Sequence, residues 1–294
     1  MPRLAALLAA LAVVVLLGTG CDDGPAPARA AAATTVPWWH GGLLHVGGTT
    51  LATELQQIRY AGGTTLVGAA DAEASRWSLV RDGRLVPLVS ARSLVDPALS
   101  DDGRRVVWVQ ETGSRELRPA HFRIGFRVVS YDVGAGRPAG TWATHARVIC
   151  CDATGYLVVE DVAGDGSVEL GRVGHGRMRW VPGSDPVPLA GRGSWPGGRD
   201  GVRSPDGASV ALLATEDGSR PPKQPRTVPW VRGHGRPVRL DAPAGARIVA
   251  WEDDDHVVLA TGHLVRFLRC AAATGACEQT ADRPGGRVRL PSAR

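Results

Sequence analysis

One local pattern recurs along this chain and limits what it can fold into. In Leu99-Ser100-Asp101-Asp102-Gly103-Arg104-Arg105-Val106-Val107-Trp108-Val109 and in Arg203-Ser204-Pro205-Asp206-Gly207-Ala208-Ser209-Val210-Ala211-Leu212-Leu213, a Ser-x-Asp-Gly turn stands two residues ahead of an apolar strand. Three looser copies follow the same plan: Ala61-Gly62-Gly63-Thr64-Thr65-Leu66-Val67, Asp152-Ala153-Thr154-Gly155-Tyr156-Leu157-Val158-Val159, and Asp253-Asp254-Asp255-His256-Val257-Val258-Leu259. Aligned on Gly63, Gly103, Gly155, Gly207 and Asp255, they are spaced by 40, 52, 52 and 48 residues. The turn has a physical logic: Asp and Ser oxygens hold turn amides, and Gly accepts a positive φ that other residues resist. A step of this length is one supersecondary unit that must stack on its neighbours to bury its apolar faces.

The strands after the turns are apolar at consecutive rather than alternate positions, so both their faces are covered. An inner blade strand, sandwiched between two neighbouring blades, reads this way. Short polar or Gly-containing breaks, such as Arg81-Asp82-Gly83-Arg84, separate the remaining strands as hairpin turns. The only helix-like patch is residues 53–60. The pattern predicts an all-β fold, a β-propeller of four-stranded antiparallel blades. Five blades are directly visible and residues 38–51 supply a sixth, with five in all as the alternative. The N-terminal strand is expected to complete the last blade and fasten the ring, which removes exposed edges.

The N-terminus speaks to compartment. Arg3 supplies a short positive region, residues 4–17 form an uninterrupted apolar run of 14, and Gly18-Thr19-Gly20-Cys21 follows. The run is shorter than the ~20 residues a lone helix needs to span a bilayer. Small residues leading to Cys21 resemble the lipobox of bacterial lipoproteins, which implies acylation of Cys21; the alternative is a plain secretory signal in which Cys21 is incidental. Either way the chain is exported. The expected organisation is a signal over 1–20, an Ala- and Pro-rich flexible tether over 21–36 and the propeller over 37–294. Basic residues number 34, of which only Lys223 is lysine, and the net charge of +5 is spread along the chain. No basic stripe interleaved with aromatics is present, so nucleic acid is not an expected partner.

The turns carry a further resemblance. Ser204-Pro205-Asp206-Gly207 is the full repeat turn of TolB-like and WD40-like propellers, and Ser100-Asp101-Asp102-Gly103 lacks only its proline. The opening Pro37-Trp38-Trp39-His40-Gly41-Gly42 and the closing Cys270-Ala271-Ala272-Ala273-Thr274-Gly275-Ala276-Cys277-Glu278 are similar to segments of exported propeller lipoproteins of actinobacterial type. The resemblance covers residues 37–280. It implies fold strongly and function weakly, because the same turn serves scaffolds, sensors and non-catalytic peptidase domains.

Besides Cys21 there are four cysteines in two close pairs. Cys270 and Cys277 fall opposite each other in a hairpin with a loop over 272–275, which predicts a disulfide. The adjacent Cys150 and Cys151 are read as a vicinal disulfide that stiffens the turn ending at Asp152. Two reduced cysteines on opposite sides of a strand are the alternative, and such vicinal rings also occur in the cofactor pocket of quinoprotein dehydrogenases, propellers with more blades. No cofactor is expected here. The acidic run Glu252 to Asp255 beside His256 reads as a blade turn rather than a hard-cation loop, which needs a Gly at its sharp turn. Asp161 to Gly166 reads as a hairpin turn. The eight histidines lack metal spacing, and no Gly-x-Ser-x-Gly elbow is present. Most tryptophans are expected between blades, with Trp38, Trp39 or Trp195 as candidates for a binding rim.

Two function classes remain. The favoured one is a non-enzymatic cell-envelope lipoprotein on the extracytoplasmic side, whose propeller binds an envelope protein or a small ligand. The alternative is an extracellular glycan hydrolase, which requires two carboxylates facing each other about 5 to 10 Å apart in the propeller funnel.

Overall fold

A computed structural model describes residues 33–70, 74–91, 95–149, 154–192, 201–214, 227–233, 235–262, 265–282, 284 and 288–292. Among these residues the chain forms 23 strands and no helix. Blade 1 holds β1 (Trp38–His40), β2 (Leu43–Val46) and β3 (Thr49–Ala52), and blade 2 holds β4 (Gln57–Ala61), β5 (Thr64–Ala70), β6 (Ser75–Arg81) and β7 (Arg84–Ala91). Blade 3 holds β8 (Ala98–Leu99), β9 (Arg105–Arg118), β10 (His121–Asp132) and β11 (Arg137–Ile149). Blade 4 follows with β12 (Leu157–Val162), β13 (Val168–Arg172), β14 (Gly176–Trp180) and β15 (Val187–Arg192). Blade 5 is β16 (Val202–Arg203), β17 (Val210–Ala214), β18 (Val228–Arg232) and β19 (Val238–Arg239); blade 6 is β20 (Arg247–Trp251), β21 (His256–Thr261), β22 (Arg266–Ala271) and β23 (Cys277–Gln279). Each sheet is antiparallel with strands in chain order, which is the connectivity of a six-bladed propeller.

Five apolar clusters among the described residues each join two neighbouring blades. Leu44, Ile58 and Val67 join blades 1 and 2; Leu66, Trp77, Val106 and Trp108 join blades 2 and 3. Phe126, Val128, Leu170 and Trp180 join blades 3 and 4; Ala211, Trp251 and Leu259 join blades 5 and 6. Trp38, Val258 and Phe267 join blade 6 back to blade 1. The consecutive apolar positions of β9 and β21 thus serve two interfaces at once: Val106 faces blade 2 and Val107 faces blade 4, while Val257 packs toward blade 5 and Val258 toward blade 1.

Three expectations need correction. Residues 53–60 hold no helix; their second half is β4, which pairs with β5 from Ala61↔Thr64 to Gln57↔Gly68. Gly62 and Gly63 at φ 50° and 78° make the two-residue turn whose twist matches the strands, and burial of Ile58 overrides local propensity. The ring is closed from the other terminus. Trp39 of β1 exchanges both backbone hydrogen bonds with Arg289, at 3.0 and 2.9 Å, so a C-terminal segment completes the first blade. Ser292 N continues the closure onto Ile58 O of blade 2 at 3.1 Å. Ahead of Pro37 the chain is already docked: Val36 is 1% exposed, and Thr34 and Thr35 bond Asp282 and Glu252.

The third correction concerns the repeat itself. In blades 2, 3, 5 and 6 the turn enters the second strand, but Gly155 precedes β12, the first strand of its blade. The blade-4 equivalent is Asp165-Gly166, where Gly166 N bonds Ala163 O, Ala163 N bonds Ser167 O, and Asp165 Oδ1 accepts from Ser167 N. Measured on Gly63, Gly103, Gly166, Gly207 and Asp255, the steps are 40, 63, 41 and 48. The long step has a cause. In blade 3, β9, β10 and β11 run for 14, 12 and 13 residues, about twice the length of most other strands, and carry the sheet beyond the end of the ring opposite the Ser-x-Asp-Gly turns.

Candidate functional site

The two strongest turn motifs are superimposable bond for bond. Ser100 Oγ donates to Asp102 Oδ1 at 2.5 Å and accepts from Arg105 N at 2.9 Å; Ser204 Oγ does the same with Asp206 Oδ1 at 2.6 Å and Ser209 N at 2.9 Å. Each carboxylate also takes the amide two residues on, Arg104 N or Ala208 N. Both serines are fully buried. Gly103 and Gly207 sit at φ 69° and 72°. Neighbouring turns touch: a Cβ on Gly103 would lie 2.2 Å from Ala61 O, and Asp206 N donates to Asp254 Oδ1 at 2.8 Å. These residues knit one end of the ring together, which is an architectural task.

Cys270 and Cys277 are bonded, opposite each other on β22 and β23 with Cα atoms 4.0 Å apart. Cys21, Cys150, Cys151 and Trp195 lie outside the described residues. The acidic run of blade 6 is occupied internally: Arg269 pairs with Glu252 and Asp253, and Asp253 meets His256 Nδ1 at 2.9 Å. Burial alone would raise the Asp253 carboxyl, but bonds from His256 and the Asp255 amide hold it below the ordinary value. Trp38 and Trp39 belong to β1 and not to a rim. Trp38 stacks on His45 at 3.7 Å, and Trp39 donates to Thr53 O beneath the Arg289 guanidinium.

The described residues do form a cavity, and sequence reasoning passed over all of its residues as site candidates. It has a volume of about 790 Å3 and lies between the extended outer part of blade 3 and blade 4. Blade 3 contributes Arg123 from β10 and Trp142, His145 and Arg147 from β11. Blade 4 contributes Arg172 from β13, His175 from the following turn, and Arg177 and Met178 from β14. Gly155 lets the chain pass from one wall to the other: its φ is 90°, and a Cβ there would fall 2.0 Å from Arg147 O.

Arg177 Nε donates to Glu160 Oε2 at 2.5 Å and its other end to Glu169 Oε2 at 2.6 Å; the Glu160 bond, ahead of burial, keeps the guanidinium more firmly protonated than usual. Arg123, Arg147 and Arg172 have no carboxylate within ion-pair distance among the described residues. Arg123 stands directly opposite Arg147 on β11 and Arg115 on β9, three like charges abreast across one sheet. Each such opposition costs roughly 0.2–1 kcal/mol. Arg172 is anchored by Nη2 to Thr144 Oγ1 and His145 O, both at 3.2 Å, while its buried Nε has no acceptor. A buried donor left unmade costs about 1–3 kcal/mol. The sequence signal that leads here is the long step between blade turns, which marks the strand extension; the like-charged row appears only once register is known.

No protein-family model matches the chain, and no curated protein matches it in sequence. Solved structures align to it at low identity. A functionally unknown protein from Desulfotomaculum acetoxidans covers 89% of this chain and 100% of its own at 8% identity and a TM-score of 0.35. The β-propeller domain of the Trilobed protease from Pyrococcus furiosus covers 78% and 83% at 9% identity and a TM-score of 0.35. The acylaminoacyl peptidase of Pyrococcus horikoshii covers 82% of this chain but only 41% of its own, at 10% identity and a TM-score of 0.37. Scores this low carry no weight of their own, and the fold rests on the strand order.

Proposed function

We propose that this chain is a non-enzymatic binding module of the cell envelope, TolB-like in kind, tethered to the extracytoplasmic side of a membrane through a lipid on Cys21. Its ligand seat is the cavity between blades 3 and 4. The observation that carries this reading is a cavity of about 790 Å3, the size of an ordinary ligand pocket, walled by strands that extend beyond what the ring requires. The glycan-hydrolase alternative draws less support. The two carboxylates brought together beside the cavity, Glu160 and Glu169, both bind the guanidinium of Arg177, which occupies the space between them that a glycosidic bond would need.

The test is crosslinking of the full chain in its native envelope, followed by affinity capture, alongside a Cys21→Ala form. The expected result is a membrane-associated wild type with a reproducible partner, and release of the Cys21→Ala form into the soluble fraction with loss of that partner. A Cys21→Ala form that stays on the membrane overturns the lipid tether.

A further inference from the structure

We infer that the cavity between blades 3 and 4 takes an amphiphilic monocarboxylate, its carboxylate held by Arg172 and its apolar body laid against Trp142 and Met178. This rests on the reading of the cavity as a ligand seat.

Among the described residues five arginines are partly buried: Arg59, Arg105, Arg172, Arg177 and Arg269. Four of them meet a carboxylate: Arg59 with Asp96 at 2.9 Å, Arg105 with Asp132 at 2.8 Å, Arg177 with two glutamates, and Arg269 with Glu252. Arg172 is the exception. It stands two residues beyond Leu170 on β13, so it leaves the same face, the one that packs toward blade 3. From there its Nη2 spans the gap to Thr144 Oγ1 and His145 O of β11, both at 3.2 Å. Both acceptors are neutral and Nε is enclosed without one, which leaves Nη1 as the donor open to the cavity. The acids of the same blade, Glu160 and Glu169, are committed to Arg177. A partly desolvated cation without a counter-charge is costly, and a ligand carboxylate supplies that charge.

A single unmatched guanidinium selects a single negative charge. A carboxylate brings one charge and fits guanidinium geometry, whereas a phosphoryl group brings close to two and leaves one unmatched. The remaining lining selects the body of the ligand. Trp142, Thr144 and Ala146 alternate along β11 onto the face toward blade 4, and Met178 stands between Leu170 and Pro188 on the facing wall. Trp142 and Met178 pack on the apolar cluster between the blades, and Pro186 and Pro188 continue the same wall. An indole face and a thioether give a fixed, polarisable surface for an apolar group. A cavity of about 790 Å3 is much larger than a carboxylate alone needs, so that group has the size of an ordinary ligand.

The test uses the full chain carrying Cys21→Ala, in carboxylate-free buffer at low salt, titrated by calorimetry with naphthaleneacetate and octanoate, each beside its neutral amide. Saturable binding of at least one acid is expected, roughly tenfold or more tighter than its amide. The same binding should weaken roughly tenfold or more in Arg172→Gln and stay unchanged in Arg247→Gln, an exposed arginine of blade 6. Because Arg172 also bridges the two blades, a second variant separates binding from folding. Thr144→Glu sets a carboxylate beside Arg172 from within the chain, and is expected to abolish binding while melting no lower than its parent. Several results would overturn the inference: no saturable binding of either acid, acid and amide bound alike, naphthyl phosphate bound more tightly than naphthaleneacetate, binding indifferent to Arg172→Gln and Thr144→Glu, or a Thr144→Glu form that melts well below its parent. Acid and amide bound alike would remove the carboxylate and leave the cavity as a ligand seat. A partner still captured in the envelope when neither acid binds leaves the binding-module reading standing and removes only the monocarboxylate.

Discussion

At the scale of single residues, the blade turn separates two demands made on glycine. Gly103 and Gly207 share a left-handed φ, which costs a side-chain-bearing residue roughly 1–2 kcal/mol. Only Gly103 is also crowded, since a Cβ there would strike Ala61 O at 2.2 Å, whereas the space around Gly207 is open. Gly207→Ala is therefore expected to lose about 1–2 kcal/mol in urea unfolding, and Gly103→Ala clearly more; equal losses would refute the crowding. His45 makes a second residue-scale prediction. Burial, against the opposing pull of Asp282, holds its imidazole below the ordinary histidine value. The unfolded chain therefore takes up the proton first, and stability from this group is full above the unfolded value of about 6.5 and is lost as pH falls through it toward the folded value. Melting temperature should decline from about pH 7.5 to 5.5, and His45→Phe, which keeps the stack on Trp38, should flatten that decline.

At the scale of elements, the hairpin of β22 and β23 and the extension of blade 3 behave differently. The disulfide closes a loop with a sequence separation of 7, and loop closure of that size removes roughly 2–3 kcal/mol of unfolded-state entropy. The Cys270→Ala/Cys277→Ala variant, or the reduced wild type, is expected to lose about that much in urea unfolding. In blade 3 the row Arg115, Arg123 and Arg147 is a cost the sheet carries rather than a device that holds it together. Arg115→Glu converts one opposition into an attraction and should raise stability by roughly 0.2–1 kcal/mol. A loss instead would mean that these charges are balanced in a way the register does not reveal.

At the scale of the whole molecule, stability depends on a closure joining residue 39 to residue 289. The closing segment contributes two backbone bonds to Trp39, apolar packing by Val288 and Leu290 on the cluster between blades 6 and 1, an Arg289 guanidinium 5.6 Å above the Trp39 ring, and an Arg289 bond to Gln56 O at 2.9 Å. Truncation before Val288 leaves blade 1 with three strands and an unpaired edge on β1. The truncated protein is expected to melt at a lower temperature and to exchange its blade-1 and blade-6 amides faster than those of blade 3. Uniform loss of protection would point to a ring that opens as one cooperative unit.

What the sequence determined by itself was local. The Ser-x-Asp-Gly turns, the hairpin that opposes Cys270 and Cys277 and the apolar strands covered on both faces all follow from residues within a few positions of one another, where spacing alone specifies the bonds. Tertiary structure decided the rest. Whether Gly155 or Gly166 marks the fourth blade depends on which strand enters first. The C-terminal closure pairs chain ends whose own sequences carry no sign of each other. The cavity depends on the register that turns Trp142 and Ala146 toward blade 4, and in a sheet a shift of one residue turns every side chain to the other face.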